Sequence, residues 1–422
     1  MTAAGGGNRS MPPTIAARMP SPFAHHWILD PRVAMLNHGS FGATPRPVLE
    51  TQSEWRTRMD REPIAFFVKD LEPALDAVRG ELAAFVGADP DELALLPNAT
   101  TGISTVLASL RFEPGDELLT TDHGYNAARN AMQRAAERDG ARVVTASLPF
   151  PIHDPREAVE AIAGAVTART RVAVVDHVTS ATALVLPISE IVAALAERGV
   201  DTLVDGAHGP GMLNLDLRSM GAAWYVGNLH KWVHAPRGSA FLWVPHDRQP
   251  SIRPLVTSHG ANSTRTDRSR FRLEFDWTGT SDPTALLSVP AALRFGASLV
   301  DGGWPALRDR NRALAVASRA LVLTALDQAP PAPDAMLGSM ATVPLPPTLT
   351  AGGRVQGVDL YGDPVHDALL EQGLQTMITP WPQRPDGGPW QRLLRISAAA
   401  HNDHDQMARL TAALPAVLEV LG

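Results

Sequence analysis

A lysine at position 231 is the first residue in this sequence whose type points to chemistry. The chain of 422 residues has only one other lysine, Lys69, and the rest of its lysine-plus-arginine charge is arginine. Arginine keeps a surface soluble as well as lysine does, but its guanidinium cannot lose a proton and attack a carbonyl carbon. Scarcity therefore makes Lys231 a candidate nucleophile or base, with a surface lysine left by chance as the alternative.

An aspartate at position 205 is the second candidate. Asp205 lies between the apolar run "TLV" and the small residues "GA", so its carboxylate should be buried. A buried carboxylate needs a cationic partner or strong hydrogen-bond donors. Residues 199–217 contain no lysine or arginine. The partner is therefore distant in sequence or part of a ligand.

The stretch "NATTG" at 98–102 is the third candidate. At a helix start it would offer backbone N–H groups, two hydroxyls and the positive end of the helix dipole, which suit a phosphate. An asparagine or threonine at a helix start is more often only a cap, and no Gly-Lys-Ser/Thr of a Walker loop follows it. The stretch therefore indicates a phosphate site only in combination with other features.

Together, the lysine, the acid and the phosphate cradle fit one cofactor, pyridoxal 5′-phosphate. This cofactor needs a lysine for a Schiff base, an acid against its pyridinium nitrogen and donors around its phosphate. The stretch "DHGY" at 122–125 adds a ring that could lie on the face of the cofactor, either His123 or Tyr125. The combination therefore favours a chemical role for Lys231.

Two other kinds of site, a metal site and a serine hydrolase site, are disfavoured. His230 and His234 are four residues apart, and His401 and His404 are three apart, which are spacings found in metal sites. However, "HKWVH" lacks the glutamate of a zinc-protease helix and is predicted at a strand end. We therefore expect no metal. A serine hydrolase is equally disfavoured because the sequence has no G-x-S-x-G motif.

The elements that must position these residues follow from the hydrophobic pattern. From about residue 90 short apolar runs alternate with helical patterns, which predicts an α/β fold with a mostly parallel sheet sandwiched by helices. In such folds ligands lie beyond the carboxyl ends of the strands. Five segments follow predicted strands and are expected around one cavity, namely 98–102, 122–125, 177–180, 205–208 and 228–231. Asp154 and Ser189 are predicted helix caps.

The domain organisation is predicted in three parts. Residues 1–30 are expected to form a flexible tail, residues 31–295 a large cofactor-binding α/β domain, and residues 296–422 a smaller α+β domain. The third part mixes helices and strands without strict alternation, and "DAMLGSMATVPLP" is predicted to hold an edge strand.

Composition narrows the class of protein. A net charge of −7 without a basic block disfavours nucleic acid or a membrane surface as the partner. The apolar stretches are too short to span a membrane, and the first residues lack the apolar region of a signal peptide. The absence of cysteine excludes disulfides, thiolate metal sites and a cysteine nucleophile. We therefore expect a cytoplasmic protein that acts on a small molecule.

Several motifs resemble one known family. The stretches "VDGAHGPGM" and "GNLHKW", together with "LNHGSFG" near the start and "LRIS" near the end, resemble the class V aminotransferase family of pyridoxal phosphate enzymes. The opening and closing motifs are most similar to its isopenicillin N epimerase-like branch. The resemblance covers nearly the whole chain and implies an aspartate aminotransferase-like fold with a large, seven-stranded type of sheet.

The resemblance also implies roles at the cofactor. Lys231 matches the Schiff-base lysine, Asp205 the partner of the pyridinium nitrogen, and His208 the donor to the phenolic oxygen. Ser180 is expected near the ring, and Tyr125 is favoured over His123 as the stacking residue. The residues expected at the phosphate are Ala99, Thr100, Thr101, Asn228 and His230, with Thr280 supplied by the second subunit of a homodimer.

On the substrate side, the resemblance assigns Arg395 to the α-carboxylate and places Asn37 and His38 in the lining loop. It predicts an enzyme that acts at Cα of an amino acid, as an epimerase or an aminotransferase. Epimerisation would need a second acid, either Tyr125 or a histidine. A carbon–sulfur lyase and an inert binding protein stay open, whereas the absence of cysteine excludes a cysteine desulfurase. The arginine-rich stretch "STRTDRSRFRLEFDW" at 263–277 either meets a second substrate carboxylate or is a solvated loop.

Overall fold

The computed structural model describes residues 21–346, 362–382 and 391–421. Most of the predicted N-terminal tail, residues 1–20, therefore lies outside the described residues. Residues 21–30 of that predicted tail are packed against the protein rather than free. They contain a 3₁₀ turn, Ala24–His26, and the buried Trp27, whose indole Nε1 donates to the carbonyl oxygen of Ala43 at 3.0 Å.

The described residues form twelve strands. They are β1 Ala34–Met35, β2 Leu93–Leu96, β3 Glu117–Thr121, β4 Arg142–Ala146, β5 Thr170–Asp176, β6 Asp201–Asp205, β7 Trp224–Asn228, β8 Ala240–Trp243, β9 Met340–Pro344, β10 Leu374–Gln375, β11 Met377–Trp381 and β12 Gln391–Ser397. Seven of these strands form one sheet in the order β2-β8-β7-β6-β5-β3-β4. Only β8 runs antiparallel to its neighbours, so the predicted mostly parallel sheet is confirmed.

The same residues form fifteen α-helices. They are α1 His38–Phe41, α2 Arg46–Arg61, α3 Pro63–Ala65, α4 Leu71–Val86, α5 Ala99–Ser109, α6 Asn126–Asp139, α7 Pro155–Gly164, α8 Ile188–Ala196, α9 Leu217–Met220, α10 Arg270–Phe275, α11 Thr284–Leu287, α12 Val289–Ser298, α13 Gly303–Ala325, α14 Pro364–Glu371 and α15 His404–Leu421. Further 3₁₀ turns lie at Pro90–Glu92, Gln249–Ser251, His259–Asn262 and Asp334–Met336, and a π-helical turn at Phe66–Asp70.

Both faces of the large sheet are buried, which explains why its strands are apolar throughout. Successive residues of a strand point to opposite faces, and in β5 Val172 and Val174 pack on one side while Ala173 and Val175 pack on the other. Helices α5, α6 and α10 cover the first side, and α4, α7, α8 and α12 cover the second. The helices thus hold the carboxyl ends of the strands in fixed positions around the candidate site.

The C-terminal part builds a second, smaller layer. Strands β9, β11 and β12 form an antiparallel sheet in the order β11-β12-β9, which confirms the predicted edge strand. Helices α13, α14 and α15 pack their apolar sides against it. Strand β1 pairs in parallel with β10, so an N-terminal segment is joined to this part. The domain boundary at 295/296 stays a prediction, and it falls inside α12.

Of the two predicted caps, one is confirmed and one is wrong. The side chain of Asp154 accepts a hydrogen bond from the backbone of Arg156 and forms a capping box with Glu157 at the start of α7. Ser189 is the second residue of α8 rather than its cap, because the helix begins at Ile188, directly after Pro187.

Within the described ranges, no single helix is long and apolar enough to cross a membrane. The segments Thr284–Ser298 and Gly303–Ala325 meet the length and composition requirements only as a pair bent by 72°.

Candidate active site

Lys231 lies at the centre of the candidate site, in the turn after β7. Its Nζ is 3.1 Å from Nε2 of His208, and the other ring nitrogen of His208 accepts a hydrogen bond from Trp232 Nε1 at 3.3 Å. Burial lowers the pKa of His208 far below its ordinary value, so the ring is neutral and carries its proton on Nε2. That proton points to the lone pair of an uncharged Lys231 amine.

The charge state of Lys231 follows from its surroundings. Burial, and after it the positive charge of Arg395, lower the pKa of Lys231, which comes to about 7. The negative charges of Asp205 and Asp176 act in the opposite direction. Near neutral pH the amine is therefore available as a base or nucleophile, as sequence scarcity suggested.

Two buried carboxyl groups stand side by side below the lysine. Asp205 ends β6 and Asp176 ends β5, and the two residues are direct partners in the parallel register. Burial raises the pKa of both, and the charge of Asp205 raises that of Asp176 further. Asp176 was missed by the sequence reasoning, which took the end of this strand from His177 onward. The sequence does contain a pattern that indicates Asp176, because "VVD" at 174–176 repeats the "LVD" that ends at Asp205.

The environment of Asp205 fits the pyridinium nitrogen of pyridoxal phosphate. Its Oδ1 accepts one backbone hydrogen bond, from Ala207 at 3.0 Å. Within the described ranges no arginine or lysine forms an ion pair with Asp205. A buried carboxylate in this state is stabilised by a cation, and a protonated ring nitrogen supplies one. The residues present therefore fit the cofactor that the sequence indicated.

The predicted phosphate cradle lies at the start of α5. The side chain of Asn98 accepts from the backbone N–H of Thr101, and the side chain of Asn228 accepts from that of Ala99, both at 2.8 Å. These two asparagines thus fix the first turn of the helix, and Thr100 is exposed between the two fixed positions. The phosphate roles of these residues stay predictions.

The other two residues predicted at the phosphate are His230 and Thr280. His230 Nδ1 donates to the carbonyl oxygen of Ser239 at 3.3 Å, and burial lowers the pKa of His230 to about 4. Thr280 is exposed in the segment before α11, and the single chain does not bring it to Lys231 by any described contact.

Arg395 projects from β12 into the same site. It is buried, and its Nη1 donates to the carbonyl oxygen and hydroxyl of Ser180 at 2.8 and 3.2 Å. Its Nη2 donates to Asn37 Oδ1 at 2.9 Å and to Ser40 Oγ at 2.8 Å. These acceptors are neutral, and a guanidinium can also bind a carboxylate in a bidentate pair. Ser180 therefore contacts the arginine, and Ser40 is a further residue that the sequence reasoning missed.

The two candidate stacking residues differ in burial. His123 is buried, with Nδ1 2.7 Å from Thr182 Oγ1 and its ring centroid 4.3 Å from that of Trp381. Tyr125, at the start of α6, is 41% exposed. The single chain thus favours His123 as the buried ring, while the stacking assignment stays a prediction.

The predicted lining residue His38 is fully buried and bonded on both ring nitrogens. Its Nε2 is 2.9 Å from the carbonyl oxygen of Lys231, and its Nδ1 is 3.1 Å from Nε2 of His401. Its described polar contacts are therefore with protein atoms behind the lysine. Asn37, by contrast, holds Arg395, as described above.

The arginines of 264–272 pair with carboxylates of the protein. Arg265 and Arg268 both bind Glu72, Arg270 binds Glu274, and Arg272 binds Asp91 and Asp76. These pairs favour a structural interpretation of the segment over a contact with a substrate carboxylate.

Known proteins resemble this chain over most of its length. A model of the aminotransferase class-V family matches residues 43–301. An isopenicillin N epimerase from Amycolatopsis lactamdurans is 36% identical, covering 92% of this chain and 95% of that protein. A putative L-cysteine desulfhydrase 2 from Oryza sativa subsp. japonica is 33% identical, covering 82% of this chain and 74% of that protein.

Solved structures share the fold. A structure of a C-DES mutant, in which glycine is covalently linked to the pyridoxal phosphate cofactor, matches with a TM-score of 0.73 and 23% identity. The match covers 90% of this chain and 96% of that one.

The chain belongs to the class-V aminotransferase family. Membership confirms the predicted α/β fold, the prediction that the protein is an enzyme, and pyridoxal phosphate as its cofactor.

Proposed function

We propose that this enzyme removes the proton from Cα of an amino acid whose α-carboxylate is held by Arg395, with epimerisation as the first candidate reaction. The observation that carries the proposal is the position of Lys231, an amine with a pKa of about 7 that lies against His208 and within the field of Arg395. The 36% identity to an isopenicillin N epimerase over 92% of the chain supports the choice of reaction.

Pyridoxal phosphate, when bound, supplies an electron-accepting ring for the electron pair left at Cα. Lys231 and Asp205 would hold its aldehyde carbon and its ring nitrogen, with His208 at the phenolic oxygen and Ser180 near the ring. The residues proposed at the phosphate are Ala99, Thr100, Thr101, Asn228 and His230. Either His123 or Tyr125 would cover the ring.

The protein's own part begins with proton transfer. Lys231 takes the Cα proton onto Nζ, and the low pKa of that amine matches the task near neutral pH. The Nε2–H of His208 points at the same nitrogen and orients its lone pair. With the cofactor bound, the carboxylate of Asp205 would pair with the protonated ring nitrogen and so favour the electron-accepting form of the ring.

Arg395 orients the substrate. A carboxylate that displaces the neutral acceptors Ser40 or Ser180 would form a charge-assisted, bidentate pair with the guanidinium. The pair fixes the rotation about the bond to Cα and so selects the bond to be broken. Epimerisation further needs a proton donor on the opposite face, for which we propose His123 or Tyr125.

The first experiment tests the cofactor and its lysine. Purified wild type should absorb in the near-visible range, and borohydride should convert it to a covalent adduct on Lys231. Lys231→Ala should form no adduct, whereas Lys69→Ala, the matched control for the only other lysine, should react as the wild type does. A wild type that stays colourless with added pyridoxal phosphate would contradict the proposal.

The products distinguish the candidate reactions from one another. Epimerisation predicts exchange of the Cα hydrogen in deuterium oxide and inversion at Cα, without release of keto acid. Keto acid with an aminated cofactor would instead indicate an aminotransferase. A carbon–sulfur lyase is the second candidate, supported by 33% identity to a putative L-cysteine desulfhydrase. Release of pyruvate and sulfide from cysteine would select it.

We also propose a homodimer in which Thr280 of one subunit reaches the phosphate of the other. Thr280 is exposed in the single chain. Large apolar side chains are exposed too, among them Phe41, Ile64, Val68, Leu255 and Val256. A contiguous exposed apolar patch is typical of a surface that a second chain covers, and we propose that some of these side chains belong to such a patch. A cytoplasmic location stays a prediction.

A further inference from the structure

The short helix α1 contacts both Lys231 and Arg395. On one side Asn37, which directly precedes α1, and Ser40, its third residue, accept hydrogen bonds from Arg395 Nη2. On the other side His38 bonds to the carbonyl oxygen of Lys231 at 2.9 Å. One turn of helix thus contacts both the lysine peptide and the arginine that is proposed to hold the substrate.

The acceptors determine the direction of both hydrogen bonds of His38. A carbonyl oxygen only accepts, so Nε2 of His38 carries the proton and donates to Lys231. Burial lowers the pKa of His38 to about 4, so the ring is neutral at physiological pH and its Nδ1 is an acceptor. Nε2 of His401 must therefore donate to Nδ1 at 3.1 Å. The two hydrogen bonds, from His401 to His38 and from His38 to Lys231, therefore have one consistent arrangement of protons.

Packing leaves the helix no room to shift. Gly42, which follows α1, has φ of 69°, and a Cβ there would overlap the carbonyl oxygen of His230. A Cβ at Gly39 would meet the sulfur of Met340 and the hydroxyl of Ser397. The ring of His38 also lies 5.1 Å from that of Trp232, centroid to centroid. We therefore expect α1 and the turn that carries Lys231 to shift only as one unit.

We propose that His38 is a positioning residue for Lys231. Through its hydrogen bond to the Lys231 carbonyl oxygen, it fixes the position of the Lys231 backbone, and hence of the lysine side chain, relative to Arg395. It acts from behind the lysine and does not touch the substrate. This inference rests on the proposed proton transfer by Lys231. It revises the expectation that His38 lines the substrate side.

A pair of polar substitutions separates the two hydrogen bonds of His38. The amide nitrogen of glutamine reaches the place of Nε2, so His38→Gln keeps a donor for Lys231. Asparagine reaches only the place of Nδ1, so His38→Asn keeps a contact with His401 and loses the one with Lys231. His38→Leu removes both. His366→Leu is the matched control, since His366 is another buried histidine, on α14.

The measurements are made on the holoenzyme. We expect His38→Asn and His38→Leu to lower kcat for Cα–hydrogen exchange by about tenfold or more, with KM changed less than about twofold. The pH midpoint of the cofactor absorption band should shift in both variants. His38→Gln and His366→Leu should keep kcat within about threefold and keep the wild-type midpoint. If His38→Leu does not fold, the comparison of His38→Gln with His38→Asn is enough to test the proposal.

Three results would overturn the proposal. Equal kcat and equal absorption midpoints in the Gln and Asn variants would show that the bond to Lys231 is not used. A raised KM at unchanged kcat in His38→Asn would return His38 to the substrate side. Failure of wild type to form the borohydride adduct would remove the proposed function itself, and this inference with it.

Discussion

Lys231 and Arg395 lie in the same site, and the positive charge of Arg395 affects the protonation of the Lys231 amine. The charge of Arg395 disfavours the ammonium form of Lys231, while the two carboxyl groups of Asp205 and Asp176 favour it. Burial is the largest contribution and sets the direction. At the scale of residues, the site therefore keeps its amine uncharged by burial and by an arginine that is also proposed to bind the substrate.

The state of Lys231 can be tested by acylation of the cofactor-free protein. Because only the neutral amine reacts, acylation of Lys231 by a small reagent should fall as the pH drops through about 7. Removing the positive neighbour in Arg395→Gln should raise that midpoint. Mass spectrometry reports each lysine separately, with the exposed Lys69 as a check on the reagent.

The control is Arg32→Gln, which changes an exposed arginine that is paired with Asp30. It should leave the midpoint of Lys231 unchanged. A midpoint that does not move in Arg395→Gln would show that the two charges do not interact as described.

At the scale of elements, α5 is fixed at its first turn from two sides. Asn98 caps it, and Asn228 at the end of β7 holds the N–H of Ala99. The helix start is therefore tied to the strand that leads to Lys231. The proposed phosphate cradle and the lysine are thus positioned by one rigid connection.

Loss of the α5 cap should affect both stability and cofactor binding. Asn98→Ala should cost about 1 kcal/mol of unfolding free energy and weaken pyridoxal phosphate binding by about fivefold. Asp154→Ala, which removes the cap of α7, should cost a similar free energy without changing the cofactor affinity. Urea unfolding and fluorescence titration measure the two quantities. Equal affinity in both variants would argue against a phosphate at α5.

At the scale of the whole molecule, the site is assembled from both ends of the described chain. Arg395 comes from β12 and His38 from the N-terminal segment, while Lys231 and Asp205 come from the large sheet. The exposed Ile64 and Val68 lie on and just after α3, outside this assembly, with 79% and 74% of their surface accessible.

The proposed dimer predicts that charges on this apolar surface separate the subunits. Wild type should sediment as a dimer, and Ile64→Glu combined with Val68→Glu should sediment as a monomer that binds pyridoxal phosphate more weakly. The matched control is Val420→Glu, which alters a residue that is 85% exposed near the end of α15. A monomeric wild type would contradict the dimer and the role of Thr280.

Much of the architecture was predictable because its signals are local. The apolar runs of β2 to β8 and the capping box at Asp154 can be read from neighbouring residues, and Lys231 was detectable because lysine is rare in this chain. The contact of Asn37 with Arg395 joins residues 358 positions apart, and no local pattern encodes it. The resemblance placed both residues on the substrate side, but their mutual hydrogen bond required the fold.

The pairing of β1 with β10 has a consequence for how the enzyme is made. Ala34 is translated 340 residues before its partner Leu374, and Arg395 and His401 follow later still. The large sheet can form first, since all its strands lie between Leu93 and Trp243. During this time the N-terminal strand β1 has no partner strand to pair with. We therefore expect a nascent chain to acquire the complete Lys231 pocket only after Arg395 and His401 have been translated.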